Sequence, residues 1–175
     1  EQIDTSEVHT RGGEFVESEL AAAANNEALN AKIAADIMAR KGTRKSLLLF
    51  CTGVAHAIAM RDAMTRHGLL CATVTGETPK EERDRLITGF RAGKIDCLTN
   101  ANVLTTGFDA PGVDLVALLR PTQSTGLYVQ MVGRGLRTAP GKEDCLILDF
   151  GGNILRHGPV TDPRPICEPG KKGDG

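Results

Sequence analysis

The chain has 175 residues, enough for one domain with flanking segments and a sizeable buried core. Its apolar and charged fractions, 41% and 25%, are those of an ordinary soluble domain, and a formal charge of -1 excludes a global basic field for nucleic acid, so any such contact must be local. Five Phe, one Tyr and no Trp argue against a base-stacking platform, and five cysteines with no C-x-x-C spacing signal neither a zinc cluster nor a redox pair.

Residues 1–19 show no clear period. From Leu20 to Gly42 a single helix is expected: Leu29, Ile33 and Ile37 recur every four residues, and Arg40, Lys41 and Gly42 form a stop. The run S-L-L-L-F-C (46–51) is continuously apolar, as in a strand buried on both faces. A helix with Ala55, Ile58, Ala59 and Ala63 on one face follows and closes at Gly68. After a strand at 69–76, Thr78 as N-cap, Pro79 and Glu81 predict a capping box on a helix whose apolar face is Leu86, Ile87 and Phe90. Its Arg83, Arg85, Arg91 and nearby Lys94 sit among acidic residues and suggest a solvated face. Strands follow at I-D-C-L-T-N-A (95–101) and V-D-L-V-A-L-L (113–119). Next come a helix from Ser124 through Arg137, with Tyr128 in the core, and a strand at C-L-I-L-D-F (145–150). This alternation predicts an α/β fold with a mostly parallel sheet and helices on both faces.

In such sheets ligands bind beyond the carboxyl ends of the strands. The loops there, at 51–53, 75–80, 100–112 and 120–125, are rich in Thr, Gly and Asn, which offer N–H groups, hydroxyls and little bulk. Turn chemistry uses the same residues, but four such loops at one edge favour an anion-binding face. Neither G-x-x-x-x-G-K-[ST] nor G-x-G-x-x-G is present, so the chain does not cradle a triphosphate alone. Arg134 and Arg137, three apart on the expected helix, would share a face beside Gly133 and Gly135, and should reach the carboxyl rim. An arginine fork suits phosphate oxygens, although cations at a helix C-terminus also occur for dipole reasons alone. His9, His56, His67 and His157 have no metal or triad spacing and are expected as surface or packing residues.

Taken in order, four segments resemble one family. Q-x-x-G-R-x-x-R (Gln130 to Arg137) resembles motif VI of superfamily 2 helicases and translocases, and N-V-L-T-T-G-F-D-A-P-G-V-D (102–114) resembles motif V. S-L-L-L-F-C-T-G-V-A-H-A resembles motif IV, and 73–101 resembles the segment between IV and V. The likeness covers about residues 44–150 and is greatest to the bacterial repair-type or restriction-subunit-like DEAD/DEAH branch.

The resemblance implies a RecA-like three-layer sandwich, the second of two motor domains, with ATP and Mg2+ held mainly by an N-terminal RecA-like domain that carries the Walker motifs. It implies Arg137 as the arginine finger and Arg134 on the γ-phosphate. Gln130, Gly107, Asp109 and Gly133 would complete the nucleotide side. Thr52, Gly53, Gly76 (with Glu77), Asn102 and Thr105 would face nucleic acid, with DNA preferred over RNA on the F-D-A-P form of motif V. Where many relatives carry Thr this chain has Ala101. No metal ligand set is implied within the chain.

The expected organisation is a leading segment and helix (1–42), a RecA-like domain (43–150) and an extended tail or linker (151–175). The start at Glu1 suggests a fragment, inactive alone, and Cys167 leaves open a metal-binding module farther on. No run is long enough to span a membrane, and the cysteine usage points to the cytoplasm. A non-catalytic flavodoxin-like binding module would instead need no partner domain for its ligand, and a degenerate helicase-derived domain would serve as a protein-interaction scaffold, against which the intact Gln130, Arg134 and Arg137 speak.

Overall fold

The computed structural model describes residues 1–104 and 108–164. Two of the sequence candidates, Thr105 and Gly107, lie outside the described residues, as does Cys167.

Five strands form one parallel sheet: β3 (Leu47–Phe50), β4 (Cys71–Val74), β5 (Cys97–Asn100), β6 (Leu115–Leu118) and β7 (Leu146–Asp149), numbered after a short hairpin, β1 (Thr10–Arg11) and β2 (Glu14–Phe15). Their order is β4-β5-β3-β6-β7. Register pairs Leu47 with Cys97 on one side and with Leu115 on the other. The continuous apolar runs are explained by burial on both faces: every residue of β3, β5 and β6 is buried.

On one face Leu47, Leu49, Leu115 and Ala117 pack against Ile33, Ala34 and Ile37 of α2 (Glu27–Arg40) and Ala57, Met60 and Met64 of α3 (Val54–Thr65). On the other, Leu48, Phe50, Leu98, Val116 and Leu118 meet Phe90 of α4 (Lys80–Arg91) and Tyr128, Met131 and Val132 of α5 (Thr125–Gly133). The result is the expected three-layer sandwich. Each fully buried leucine adds about 1.5–3 kcal/mol of transfer free energy.

Three local expectations are corrected. The leading helix is two: α1 (Glu17–Ala24) stops at Asn25, and Asn26 accepts the Leu29 N–H at 3.1 Å to cap α2. Asparagine side chains compete with helical backbone bonds, and here they win. At α4, Pro79 is the N-cap residue, and the Thr78 hydroxyl instead accepts the Thr75 N–H at 2.9 Å. After β7, composition suggested extended chain, but residues 153–157 form a short helix, α6 (Asn153–His157), with Asn153 and His157 fully buried. At α5, by contrast, Ser124 caps as expected, accepting the Leu127 N–H at 3.1 Å.

The leading segment is part of the packed body. Ile3 donates its N–H to Phe150 O at 2.8 Å. The β1–β2 hairpin turns through Gly12 and Gly13, at φ 61° and 79°, a conformation that favours glycine. It delivers Glu14 to the loop after β6, where its carboxylate accepts from the Thr122 hydroxyl and from Gln123 N–H.

Candidate functional site: the strand-end rim and the arginine cluster

At the carboxyl rim, β3 runs into Thr52 and Gly53, and α3 begins. Thr52 is buried, and both its N–H (3.2 Å) and its hydroxyl (3.0 Å) meet Nδ1 of His56. Its hydroxyl is therefore occupied from within. What this loop turns outward is backbone: nothing lies within 4 Å of a Cβ built on Gly53, and α3 has neither a side-chain cap nor an acidic residue in its first turn. His56 is a packing residue, and burial lowers its pKa to about 4.

The loop after β4 is tied internally. Glu77 N–H donates to Thr75 Oγ1 at 3.2 Å, and Arg83 Nη2 donates to Thr75 O at 3.2 Å and Thr78 O at 3.4 Å. Arg83 thus fixes this loop and is not the solvated side chain the sequence suggested. A Cβ built on Gly76 would lie 3.9 Å from Val103 Cγ1, so this loop and the one after β5 adjoin. There Asn102 is exposed and sits at φ 62°, in a left-handed conformation rare outside glycine. Gly53, Gly76 and Asn102 are brought to one rim.

The arginines are elsewhere. α5 ends at Gly133 and Arg134 is its C-cap residue, so Arg137 is on no helix and the shared helical face does not exist. A helix following a parallel strand runs back along it, so its C-terminal end lies toward the strands' amino ends, away from the carboxyl rim. Gly135 shows the location: a Cβ there would sit 2.4 Å from Cys145 Sγ, just before β7, and 2.9 Å from Val116 in β6. The expectation that Gly135 leaves a bare surface is therefore also corrected. Gly133, in contrast, has nothing within 4 Å of its Cβ position.

The cluster is still assembled from both motifs. Arg134 Nη1 donates to Phe108 O at 2.8 Å. Arg137 Nη1 pairs with Asp109 Oδ1, both side chains being about half exposed, at 46% and 60%. Burial, then the nearby Arg137, lowers the pKa of Arg134, and Asp109 opposes this. Phe108 anchors the segment through a stacked contact with Phe90, ring centroids 6.2 Å apart. Gln130, one turn before Arg134, is exposed, and so is Leu136 at 56%. The ammonium of Lys142, which spacing alone did not single out, donates to the carbonyls of Pro111, Gly135 and Arg137.

Ala101 and Asn102 thus lie at the carboxyl rim, whereas Phe108 and Asp109 lie beside the arginines. Two thiols behave as packing groups: burial pushes Cys51 up and Cys145 up to about 11. No helix among the described residues is long and apolar enough to cross a membrane.

Comparison with known proteins agrees with this fold. The family model described as "Helicase conserved C-terminal domain" matches residues 28–139. IRC3 of Saccharomyces cerevisiae, named as an ATP-dependent helicase, is 34% identical over 153 residues, covering 86% of this chain and 22% of IRC3. Its Schizosaccharomyces pombe namesake, named as a mitochondrial ATP-dependent helicase, is 40% identical over 120 residues, 69% of this chain and 20% of that protein. The chain thus spans about a fifth of the length of these relatives. Among solved structures, a Vibrio vulnificus fragment described as an HsdR subunit of a type I restriction enzyme superposes with TM-score 0.66 at 29% identity, covering 81% of this chain and 30% of that one. The C-terminal domain of the DEAD-box protein Dbp5 superposes with TM-score 0.61 at 25% identity, covering 74% of this chain and 76% of that one.

Proposed function

The chain belongs to the helicase conserved C-terminal domain family, and from that premise we propose that it is the second motor domain of an ATP-dependent DNA helicase or translocase. In this reading a preceding RecA-like domain with Walker motifs binds ATP and Mg2+, and this domain closes over the phosphates. The observation that carries it is the exposed Arg137, in a half-exposed ion pair with Asp109 beside an anchored Arg134.

An exposed pair of this kind is worth about 0–1 kcal/mol, so moving Arg137 from Asp109 to a phosphate costs little. Arg134 is already aligned by Phe108 O and would meet the γ-phosphate. Arg137 would neutralise charge developing on the transferred group, an effect worth roughly 10³–10⁵ in rate, or about 4–7 kcal/mol of barrier. Asp109 gives Arg137 one oxygen, Oδ1, and its other oxygen suits a ribose hydroxyl. Gln130 would orient groups in the same cleft, while Gly133, open on its outer side, and Gly107 admit close approach of the nucleotide. Leu136 supplies an apolar contact for the opposing domain.

Nucleic acid would cross the carboxyl rim. The uncapped start of α3 at Gly53 presents N–H groups to backbone phosphate, with Gly76 and Asn102 at the same rim and Thr52 shaping the loop from within; Thr105 would join them on its place in the motif. Such contacts position a strand without reading its sequence, as translocation requires. DNA is the preferred track on the Phe108-Asp109-Ala110-Pro111 form of the motif and the likeness to a restriction-enzyme subunit. Lacking a phosphate cradle, the domain alone should hydrolyse little ATP. The free thiols suit a reducing compartment, taken here as the cytoplasm.

The test uses protein carrying both motor domains. Arg137→Ala should lower DNA-stimulated ATP hydrolysis by roughly 10³–10⁵-fold, to a residual rate, and leave the Tm unchanged. Undiminished turnover would refute the finger assignment, and stimulation by RNA alone would refute the choice of DNA.

A further inference from the structure

Arg137 stands outside any helix or strand, and among the described residues its guanidinium pairs with the exposed Asp109 alone. Something else must fix its backbone if it is to meet a phosphate reproducibly. The structure supplies a lysine. The chain leaves Arg137 through Ala139, Pro140 and Gly141, with Gly141 at φ 76° and Lys142 N–H bonded to Ala139 O at 3.1 Å. A Pro-Gly pair with positive φ at the glycine is the residue pattern of a tight reversal. It folds Lys142 back onto the segment just traversed.

An ammonium has three N–H donors, and this one meets three carbonyls: Pro111 O at 3.2 Å, Gly135 O at 2.7 Å and Arg137 O at 2.6 Å. The acceptors belong to two separate segments, the one that carries Asp109 and the one that carries both arginines. Gly135 and Arg137 lie past the end of α5, where no helical ladder takes up their carbonyls. Charge-assisted bonds of this kind are about twice as strong as neutral ones. We propose that Lys142 is a positioning residue for phosphoryl transfer, strapping the Arg134–Arg137 segment to the Asp109–Pro111 segment so that Arg137 is presented in one geometry.

The proposal rests on the reading of Arg137 as the finger. Misplacing a reacting group by about 1 Å can cost on the order of 10²-fold in rate. In protein with both motor domains, Lys142→Met should lower kcat for nucleic-acid-stimulated ATP hydrolysis by about 10- to 100-fold. KM for ATP should hold, because the first domain binds it. Lys142→Arg should recover part of the loss. Because Lys142 acts through Arg137, adding Lys142→Met to Arg137→Ala should slow the enzyme no further, whereas a merely structural role would add its own loss. Amide hydrogen exchange on the same proteins supplies an independent readout: residues 135–138 and 109–112 should exchange faster in Lys142→Met, with the five strands unchanged.

Normal turnover or unchanged exchange in Lys142→Met, beside an impaired Arg137→Ala, would overturn the strap alone. An additive double variant would overturn it too. If Arg137→Ala itself turned over normally, the finger reading would fall and the positioning role with it, whatever the exchange data showed.

Discussion

Gly135 sits where the chain leaving α5 presses hardest on the sheet. A methyl group there would lie 2.4 Å from Cys145 Sγ, 2.9 Å from Val116 Cγ2 and 3.4 Å from Ile147 Cδ1. Two of these are well inside van der Waals contact, and Val116 is a fully buried strand residue with little room to yield. Forcing an extra carbon into a packed site costs about 1–3 kcal/mol. In a domain of this size each kcal/mol lowers Tm by about 2–4 °C, so Gly135→Ala should melt roughly 2–12 °C below the parent in calorimetry. The largest overlap is with sulfur, so adding Cys145→Ala should restore part of the loss although that change alone opens a small cavity. Because Gly135 O is also an acceptor of Lys142, the glycine variant should lose ATPase turnover as well. An unchanged Tm would show that the helix end does not press on the sheet at this point, and would remove the reason for the placement of both arginines.

Two further outcomes follow from the packing. The folded-state pKa of His56 is depressed by burial from 6.5 to about 4, so between those values the unfolded chain binds a proton that the folded chain refuses. Stability therefore falls as pH drops through that window, by about 2 kcal/mol near pH 5, and urea midpoints should show a flatter slope in His56→Gln; equal slopes would contradict the assignment. Glu14 clamps the leading hairpin through Thr122 and Gln123, so Glu14→Ala should speed tryptic cleavage at Arg11 without melting the sheet; parental resistance would show that the clamp is not what holds the hairpin.

The sheet was legible because strands buried on both faces leave continuous apolar runs, as in Leu47–Phe50, and because Ser124 had no competing partner for its hydroxyl. Local competition hid other features. Thr78 looked like a helix cap, but the Thr75 N–H takes its hydroxyl, and the Asn25–Asn26 break depends on bonds to Asn30 and Leu29 that a run of alanines conceals. The Arg-Gly-Gly-Glu turn of the leading hairpin carried a readable two-glycine signal that period-based reading passed over. Of the candidate site, motif order identified Arg134, Arg137 and Asp109, which the fold does bring together. Their placement away from the rim was half readable: the strand–helix alternation already implied that α5 runs back along the sheet, but not that it stops at Gly133. Lys142 and Arg83 escaped because their partners are backbone carbonyls, and a carbonyl leaves no trace in residue identity.

The most direct measurement is a structure of the two-domain protein with DNA, ADP and aluminium fluoride as a mimic of the transferred phosphoryl group. The account predicts that the Arg137 guanidinium lies within hydrogen-bond distance of the fluoride, with Arg134 still on Phe108 O. Arg137 turned to solvent, or another cation in its place, would contradict it.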